Sequence, residues 1–464
     1  MKHLLGFMRV TDLRDTSYKP SSLLYSSIHS FATSLLSVVI GMVSSIAIAW
    51  GFGPAAKGSA DLIVATGTLL AMVFGLSLQS GIVYVVARGR AIISGLLVRL
   101  ALVALFQTVL ATVTLAGLLQ TTLAPALVPP GSERWGVVAV ALLMLGILLG
   151  GHYRSVLIGL EEIPRVNLIN LYGQILTFSV IFALICAAWL QGQQLSAETL
   201  VWVQVGGTIA VAFLFLWTLR PWLTGSLRQE SGLSEVITYS LPSYLANMIQ
   251  FLNYRLDIFF VGYFVGVNGV GLYSLAVGIA QLLWLVSGAT SQVLFPNIAA
   301  SSEDRVSVSQ RTARMSRLSL WLSIVLSGGL ASGGDMLLPL IFGTAFRESV
   351  PALMWLLPGV TIFSIANVIG SYLAGIGKPH LNFLAALIGL VVTIALDAVL
   401  IPSLGIVGAA IASSMSYLAT TLAIVALFAR EASISPMHAL LVTRDDLSLI
   451  VATARRIRGE QHAS

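Results

Sequence analysis

The chain has 464 residues, of which 57% are hydrophobic and only 9% are charged. Soluble domains carry about 25% charged residues, so a chain of this length would not stay dissolved as ordinary domains; the bilayer is the solvent that fits. The formal charge of +6 comes from bases scattered over many short loops, which excludes a nucleic-acid footprint.

Twelve apolar helices are expected in chain order, at about 22–50, 60–87, 91–119, 135–158, 166–190, 199–219, 237–266, 270–298, 316–340, 350–375, 382–401 and 406–429. No Asp, Glu, Lys or Arg falls between Lys19 and Lys57, from Leu62 to Ala87, from Val166 to Ala197, from Ile258 to Ser302, or from Ala398 to Ala429. Each run exceeds the ~20 residues that cross the hydrocarbon as a helix, and some are long enough for two crossings. Their continuity, in place of alternation, excludes a barrel.

Orientation follows from the bases. One set of flanks holds twenty Lys and Arg, among them Arg88, Arg154, Arg165, Arg220 and Lys378, and the other holds only Lys57, Arg134 and Arg347. The basic side is expected to be cytoplasmic, with both termini there. The organisation expected is a lead over 1–21, a first six-helix bundle over 22–219, a cytoplasmic linker over 220–236, a second bundle over 237–429, and a tail over 430–464 attracted to anionic lipid. The apolar stretch after the lead is too long for a cleavable signal peptide.

The two bundles look like one unit used twice. Gly53-Pro-Ala-Ala-Lys-Gly58 follows the first span, and Gly266-Val-Asn-Gly-Val-Gly271 follows the seventh, 213 residues later. Ser30-Phe31 and Ser243-Tyr244 share that offset, and Pro164-Arg-Val-Asn167 and Pro379-His-Leu-Asn382 are 215 apart. Six is an even number, so both halves enter from one face as a parallel repeat.

The seventh span breaks the apolar rule. It carries Asn247, Gln250, Asn253, Tyr254, Arg255 and Asp257. At about 100° per residue, Asn247, Gln250, Asn253, Tyr254 and Asp257 fall within an arc of about 120°, with Arg255 to its side. Charges at mid-membrane are expensive and line cavities or pair with other helices. One reading is the wall of a substrate pathway, with a guanidinium able to hold a phosphate by two parallel bonds. The other is a set of buried pairs locking this helix to its neighbours. Arg99, three turns into the third span, is a further cavity candidate, or it snorkels to the interface. His152 and Arg154 are expected at the interface, Gln79, Gln107 and Gln174 as glue between helices, and Cys186 as a small core hydrophobe. Asp397 is expected near water at the end of a span.

There is no phosphate-binding Gly-rich loop with Lys-Ser/Thr, no HExxH and no Gly-x-Ser-x-Gly, and the lone Cys186 allows no Cys/His metal cluster. No enzyme activity, cofactor or metal is expected.

Several stretches resemble a known family. They are Gly51-Phe-Gly-Pro-Ala-Ala-Lys-Gly58, Leu256-Asp-Ile-Phe-Phe-Val-Gly-Tyr-Phe-Val-Gly266 with Val270-Gly-Leu-Tyr-Ser274, Val293-Leu-Phe-Pro-Asn297, Ile341-Phe-Gly-Thr-Ala-Phe346, Gly375-Ile-Gly-Lys-Pro379, and Leu400 to Ile411. Together they look like lipid-linked oligosaccharide flippases of the polysaccharide-biosynthesis family. That family sits in the superfamily that also holds multidrug and toxin extruders and lipid II flippases. The resemblance implies an all-α polytopic membrane protein whose two six-helix bundles form a V around a central cationic cavity. It implies alternating access and a polyprenyl-pyrophosphate-linked oligosaccharide as cargo. Membrane lipids, and a polymerase and glycosyltransferases of the same pathway, are the implied partners, in a bacterial cytoplasmic membrane. The extra helices after the twelfth that are typical of lipid II flippases are missing. A cation-coupled multidrug exporter is the first alternative, and would need membrane-embedded acids, of which only Asp257 qualifies by depth. A membrane polymerase is the second, and the short extracytoplasmic loops argue against it.

Overall fold

The computed structural model describes residues 20–89, 93–223, 232–300 and 305–432. They form α1 (Pro20–Gly75), α2 (Leu78–Ala87), α3 (Ile93–Leu118), α4 (Ala124–Leu127), α5 (Glu133–Gly159), α6 (Ile163–Gln191) and α7 (Ala197–Leu219). Then follow α8 (Leu233–Phe264), α9 (Val267–Gln281), α10 (Trp284–Ala300), α11 (Arg305–Phe342), α12 (Ser349–Gly375) and α13 (Pro379–Ala432).

These helices make the twelve expected crossings. α1 holds the first span and most of the second, because the chain turns at Gly53, whose φ of 75° suits a residue without Cβ. α13 likewise holds the last two spans, turning at Gly405 with φ 58°. The expected loops at these two places are corners of a single glycine instead. Pro54 and Pro402 stand at the corners, where a missing N–H helps to end one helix and start the next. α2 completes the second span after a break at Leu76–Ser77, and α9 and α10 make one span bent by 46°. α8 is too polar to stand out as a span by composition, yet its 32 residues suffice to cross.

The repeat is visible in the backbone. Gly53 (φ 75°, ψ 178°) and Gly266 (φ 88°, ψ −179°) have nearly the same conformation. Gly192 and Gly405, also 213 apart, share a positive φ of 63° and 58° but differ in ψ, at 25° and −136°, since the first ends its helix and the second turns directly into the next. The two copies touch at an equivalent place. A Cβ on Gly58 would fall onto the carbonyl of Val267 and the backbone nitrogen of Gly271, and one on Gly271 onto the carbonyl of Pro54 and the nitrogen of Gly58. Contacts that map onto themselves in this way are the signature of a two-fold relation. Around the crossing one apolar core runs from Ala49, Leu62 and Ala65 of the first bundle into Val270, Tyr273 and Leu353 of the second. Lys57 adds a polar contact there, pairing with Asp61 and donating to Ser274 at 2.9 Å.

At the opposite, basic end, α2 lies on the start of α8, where the Gly81 N–H donates to the Ser240 hydroxyl at 3.1 Å. Of the expected linker, Arg220–Trp222 form a 3-10 turn and Leu233 onward belong to α8, while 224–231 lie outside the described residues. The lead up to residue 19 and the tail from 433 lie outside them too. Cys186 is exposed on α6, not in a core, since a small apolar side chain is equally at ease facing lipid.

Gly58→Ala and Gly271→Ala push a methyl into backbone that has nowhere to move. Each is expected to lower the melting temperature of the purified protein, in line with an overpacking cost of ~1–3 kcal/mol. Gly278→Ala, where a Cβ meets open space, should leave it unchanged.

Candidate functional site

The structure divides the polar stripe of the seventh span among different neighbours. Asn253 and Asp257 are buried, and both turn into the second bundle. The Asn253 carbonyl oxygen accepts from Ser416 at 3.0 Å and from Thr393 at 3.4 Å. The Asp257 carboxylate accepts from the Tyr273 hydroxyl, from Ser413 at 3.1 Å and from the Ile258 N–H at 2.9 Å. Tyr254 joins a ring cluster with Trp284, Phe363 and Tyr417, at centroid distances of 5.3, 6.0 and 6.5 Å. Asn247 is exposed, and its amide reaches across to Ser77 at 3.2 Å. Gln250 is exposed beside the Tyr254 hydroxyl, at 3.5 Å.

Arg255 is exposed as well. On the helix it lies within about 20° of Tyr244 and Gly262. Those residues face the first bundle: Tyr244 donates to the Val73 carbonyl at 2.7 Å, and Gly262 packs against Leu62. Arg255 thus points toward the space between the bundles, roughly opposite Asp257. Arg99 is exposed on α3. Of the two readings of this stripe, locking to neighbouring helices fits Asn253 and Asp257, which are corrected as wall residues of a cavity, while Arg255 stays open to the space between the bundles. A helical wheel groups residues by angle, and here Asn253 and Asp257 find their partners on α9 and on both spans of α13, in their own bundle.

Asp397 is also corrected. It is fully buried on α13, and neither carboxylate oxygen has a hydrogen-bond partner. It sits one turn beyond Thr393, as Asp257 sits one turn beyond Asn253, and Thr393 and Asn253 touch. The two helices run the same way, so the two carboxylates lie at one level of the second bundle. A buried carboxylate without a partner persists only with a proton or a cation bound.

A cavity lies elsewhere, inside the first bundle. It measures about 1160 Å³, beyond the ~300–1,000 Å³ of ordinary small-molecule pockets. α1 supplies Thr33, Ser34, Ser37, Gly41 and Ser44; α6 supplies Asn167, Asn170, Gln174 and Thr177; α7 supplies Gln204 and Thr208. Gln79 and Ser80 of α2 and Arg154 and Ser155 of α5 complete its polar lining among the described residues, of which Arg154 is the sole charged one. The hydroxyls of Ser44, Thr177 and Thr208 donate back to their own helices, at 2.7 to 2.9 Å. Amides on Gln79, Asn170, Gln174 and Gln204 remain available to a ligand. The cavity spans the middle of the bundle and the half nearer the basic end, where Arg154 and Asn167 lie.

None of Asn247, Gln250, Asn253, Tyr254, Arg255, Asp257 or Arg99 lines this cavity. A signal for it exists in the sequence, since residues 33, 34, 37, 41 and 44 form a small polar stripe at helical spacing. Gln79 and Gln174, expected as glue, line it instead. His152, expected at the interface, is wholly buried one residue from the cavity-lining Gly151.

A protein-family model described as "Polysaccharide biosynthesis protein" matches residues 166–351. In sequence the chain is 25% identical over 231 residues to "Probable low-salt glycan biosynthesis flippase Agl15" of Haloferax volcanii, covering 49% of this chain and 48% of that one. It is 25% identical over 299 residues to "Probable flippase AglR" of the same organism, covering 62% and 60%. The chain thus aligns with less than two-thirds of the length of these curated relatives. In fold it superposes on a lipid II flippase MurJ in an inward closed conformation with a TM-score of 0.73 at 15% identity, covering 92% of both chains. An inward-facing multidrug resistance MATE family transporter of the MOP superfamily gives 0.66 at 12% identity, covering 88% of this chain and 98% of that one.

Asp257→Ala strands the hydroxyls of Tyr273 and Ser413, and is expected to cost ~1–3 kcal/mol, read as a lower melting temperature. Asp397→Asn removes a carboxylate that nothing bonds, and should fold at wild-type abundance with no loss of thermal stability.

Proposed function

From the similarity to polysaccharide-biosynthesis flippases and the fold shared with the MOP transporters, we propose that this multi-pass membrane protein is a flippase. Its cargo is a polyprenyl-pyrophosphate-linked oligosaccharide, moved across a bacterial cytoplasmic membrane by alternating access for cell-surface polysaccharide. The observation that carries this reading is the cavity of the first bundle. Sugars are neutral and rich in hydroxyls, and they do not enter hydrocarbon without hydrogen-bond partners. A chamber lined by the amides of Gln79, Asn170, Gln174 and Gln204 supplies those partners, and the single charge among its described lining residues, Arg154, leaves it suited to a neutral head. The positive-inside rule makes the basic end cytoplasmic, so the cavity loads where such a cargo is made. Both termini then lie in the cytoplasm. Arg154 on the lining and Arg255 facing the space between bundles are the cations we assign to the pyrophosphate. Glycosyltransferases that build the cargo and a polymerase that consumes it are the partners implied.

The buried pair Asp257 and Asp397 supports coupling to a proton or a monovalent cation. That requirement is shared by the alternative reading, a cation-coupled multidrug exporter, and two acids at one level of the second bundle meet it better than one. The lining favours a sugar over a drug. Among the described residues it holds no acid to attract an organic cation, and Phe215 is its one aromatic side chain.

The test is surface display in a strain lacking the gene. Asn170→Leu with Gln174→Leu, at normal abundance, should reduce display at least tenfold, and Arg255→Ala should do the same. Wild-type display from the leucine pair would contradict the assignment of the cavity. In proteoliposomes, Asp257→Asn and Asp397→Asn should each abolish the response of flipping to an imposed ion gradient; a full response from both would remove coupling from this pair.

A further inference from the structure

The second span is broken just after Gly75, at which α1 ends. Leu76 and Ser77 have φ of 52° and 49°, in the left-handed region that residues with a side chain seldom occupy. Such strain persists only where the surroundings over-determine it. The break also ends the helical ladder of α1, leaving the carbonyls of its last turn without intrahelical donors, and in a membrane such groups must find partners.

The partners come from the other bundle. The Tyr244 hydroxyl of α8 donates to the Val73 carbonyl at 2.7 Å, and the Asn247 amide of α8 donates to Ser77 Oγ at 3.2 Å. Beyond the break, α2 rests on the same helix. The Gly81 N–H donates to Ser240, and the Tyr84 and Tyr239 rings stack at 4.0 Å and 14°. Arg88 lies over the outer face of this stack, 4.4 Å from the Tyr84 centroid. Gln79 and Ser80 of this same α2 line the cavity.

We propose that α2 is a hinged shutter of the basic end, bent at Leu76–Ser77 while α8 lies against it and straightening into α1 when α8 departs. When the bundles part at that end, Val73 and Ser77 lose Tyr244 and Asn247. The cheapest way to satisfy the backbone is then to restore the ladder through residues 76 and 77. Straightening moves the ten residues of α2, and with them Gln79 and Ser80, so the opening of the mouth and the polar lining of the cavity change together. Tyr84, Tyr239 and Arg88 form the latch. The shutter rests on the alternating-access reading above.

The test follows the latch rather than the cargo. Tyr84→Cys and Tyr239→Cys are introduced with Cys186→Ser, and cross-linking by a short bifunctional thiol reagent is timed in native membranes. Tyr244→Phe, which removes only the hydroxyl that caps Val73, should slow cross-linking about fivefold. Leu76→Gly with Ser77→Gly relieves the left-handed strain and weakens the straight helix, so it should speed cross-linking and slow display of polysaccharide. Cross-linking that is unchanged by both sets of substitutions, or slowed by the glycine pair, would overturn the shutter. Because cross-linking reads the contact directly, that failure is distinct from a failure of the flippase assignment, which would appear as loss of cargo dependence with cross-linking still responsive.

Discussion

Two helix backbones touch at Gly58 and Gly271, closer than any side chain would allow. The contact is reciprocal, so each copy of the six-helix unit presents the same surface to the other. In lipid there is little hydrophobic drive to join helices, and close packing of small residues takes its place. This crossing sets the bundles against each other at one end and surrounds itself with apolar core. The rest of the interface follows. Lys57, Asp61 and Ser274 flank the crossing, Arg255 faces the space beside it, and α2 meets α8 at the far end.

Within that frame the polar groups sort by whether the protein itself satisfies them. In the second bundle Asn253 and Asp257 are engaged by Thr393, Tyr273, Ser413 and Ser416, while Asp397 at the same level accepts no hydrogen bond from a described residue. In the first bundle the hydroxyls of Ser44, Thr177 and Thr208 are tied to their own helices, and the amides of Gln79, Asn170, Gln174 and Gln204 are not. On the proposed function, the buried acid of the second bundle takes up something small and positive, and the amide-lined chamber of the first takes up something large, neutral and hydroxylated. The two halves of one duplicated unit have thus diverged in chemistry while keeping the same glycine corners.

Much of the fold was legible because charge-free runs of more than about twenty residues have few other meanings. The repeat was legible through glycines such as Gly53 and Gly266 that hold the same special backbone conformation. The corners at Gly53 and Gly405 were expected as loops, since a span of unbroken hydropathy hides where a single residue turns the chain. The break at Leu76–Ser77 went unread, because Gly75 and Ser77 are ordinary in an apolar helix and the partners that permit the break lie some 170 positions away. The wheel of the seventh span gave the angles of Asn253, Asp257 and Arg255, but angles do not name neighbours, and the two buried residues face inward while Arg255 faces the other bundle. The cavity was overlooked because serines, threonines and glutamines in apolar helices are ordinary, and only their convergence in space distinguishes lining from glue.

The direct measurement is where the sugar sits during transport. A photo-cross-linking residue placed at Gln174, and separately at the exposed Met336 of α11, should be irradiated in membranes that carry the lipid-linked oligosaccharide. A glycan-bearing adduct at Gln174 and none at Met336 is the expected result. A glycan adduct from Gln250 or Arg255 with none from Gln174 would contradict the assignment of the first bundle as the chamber for the head group.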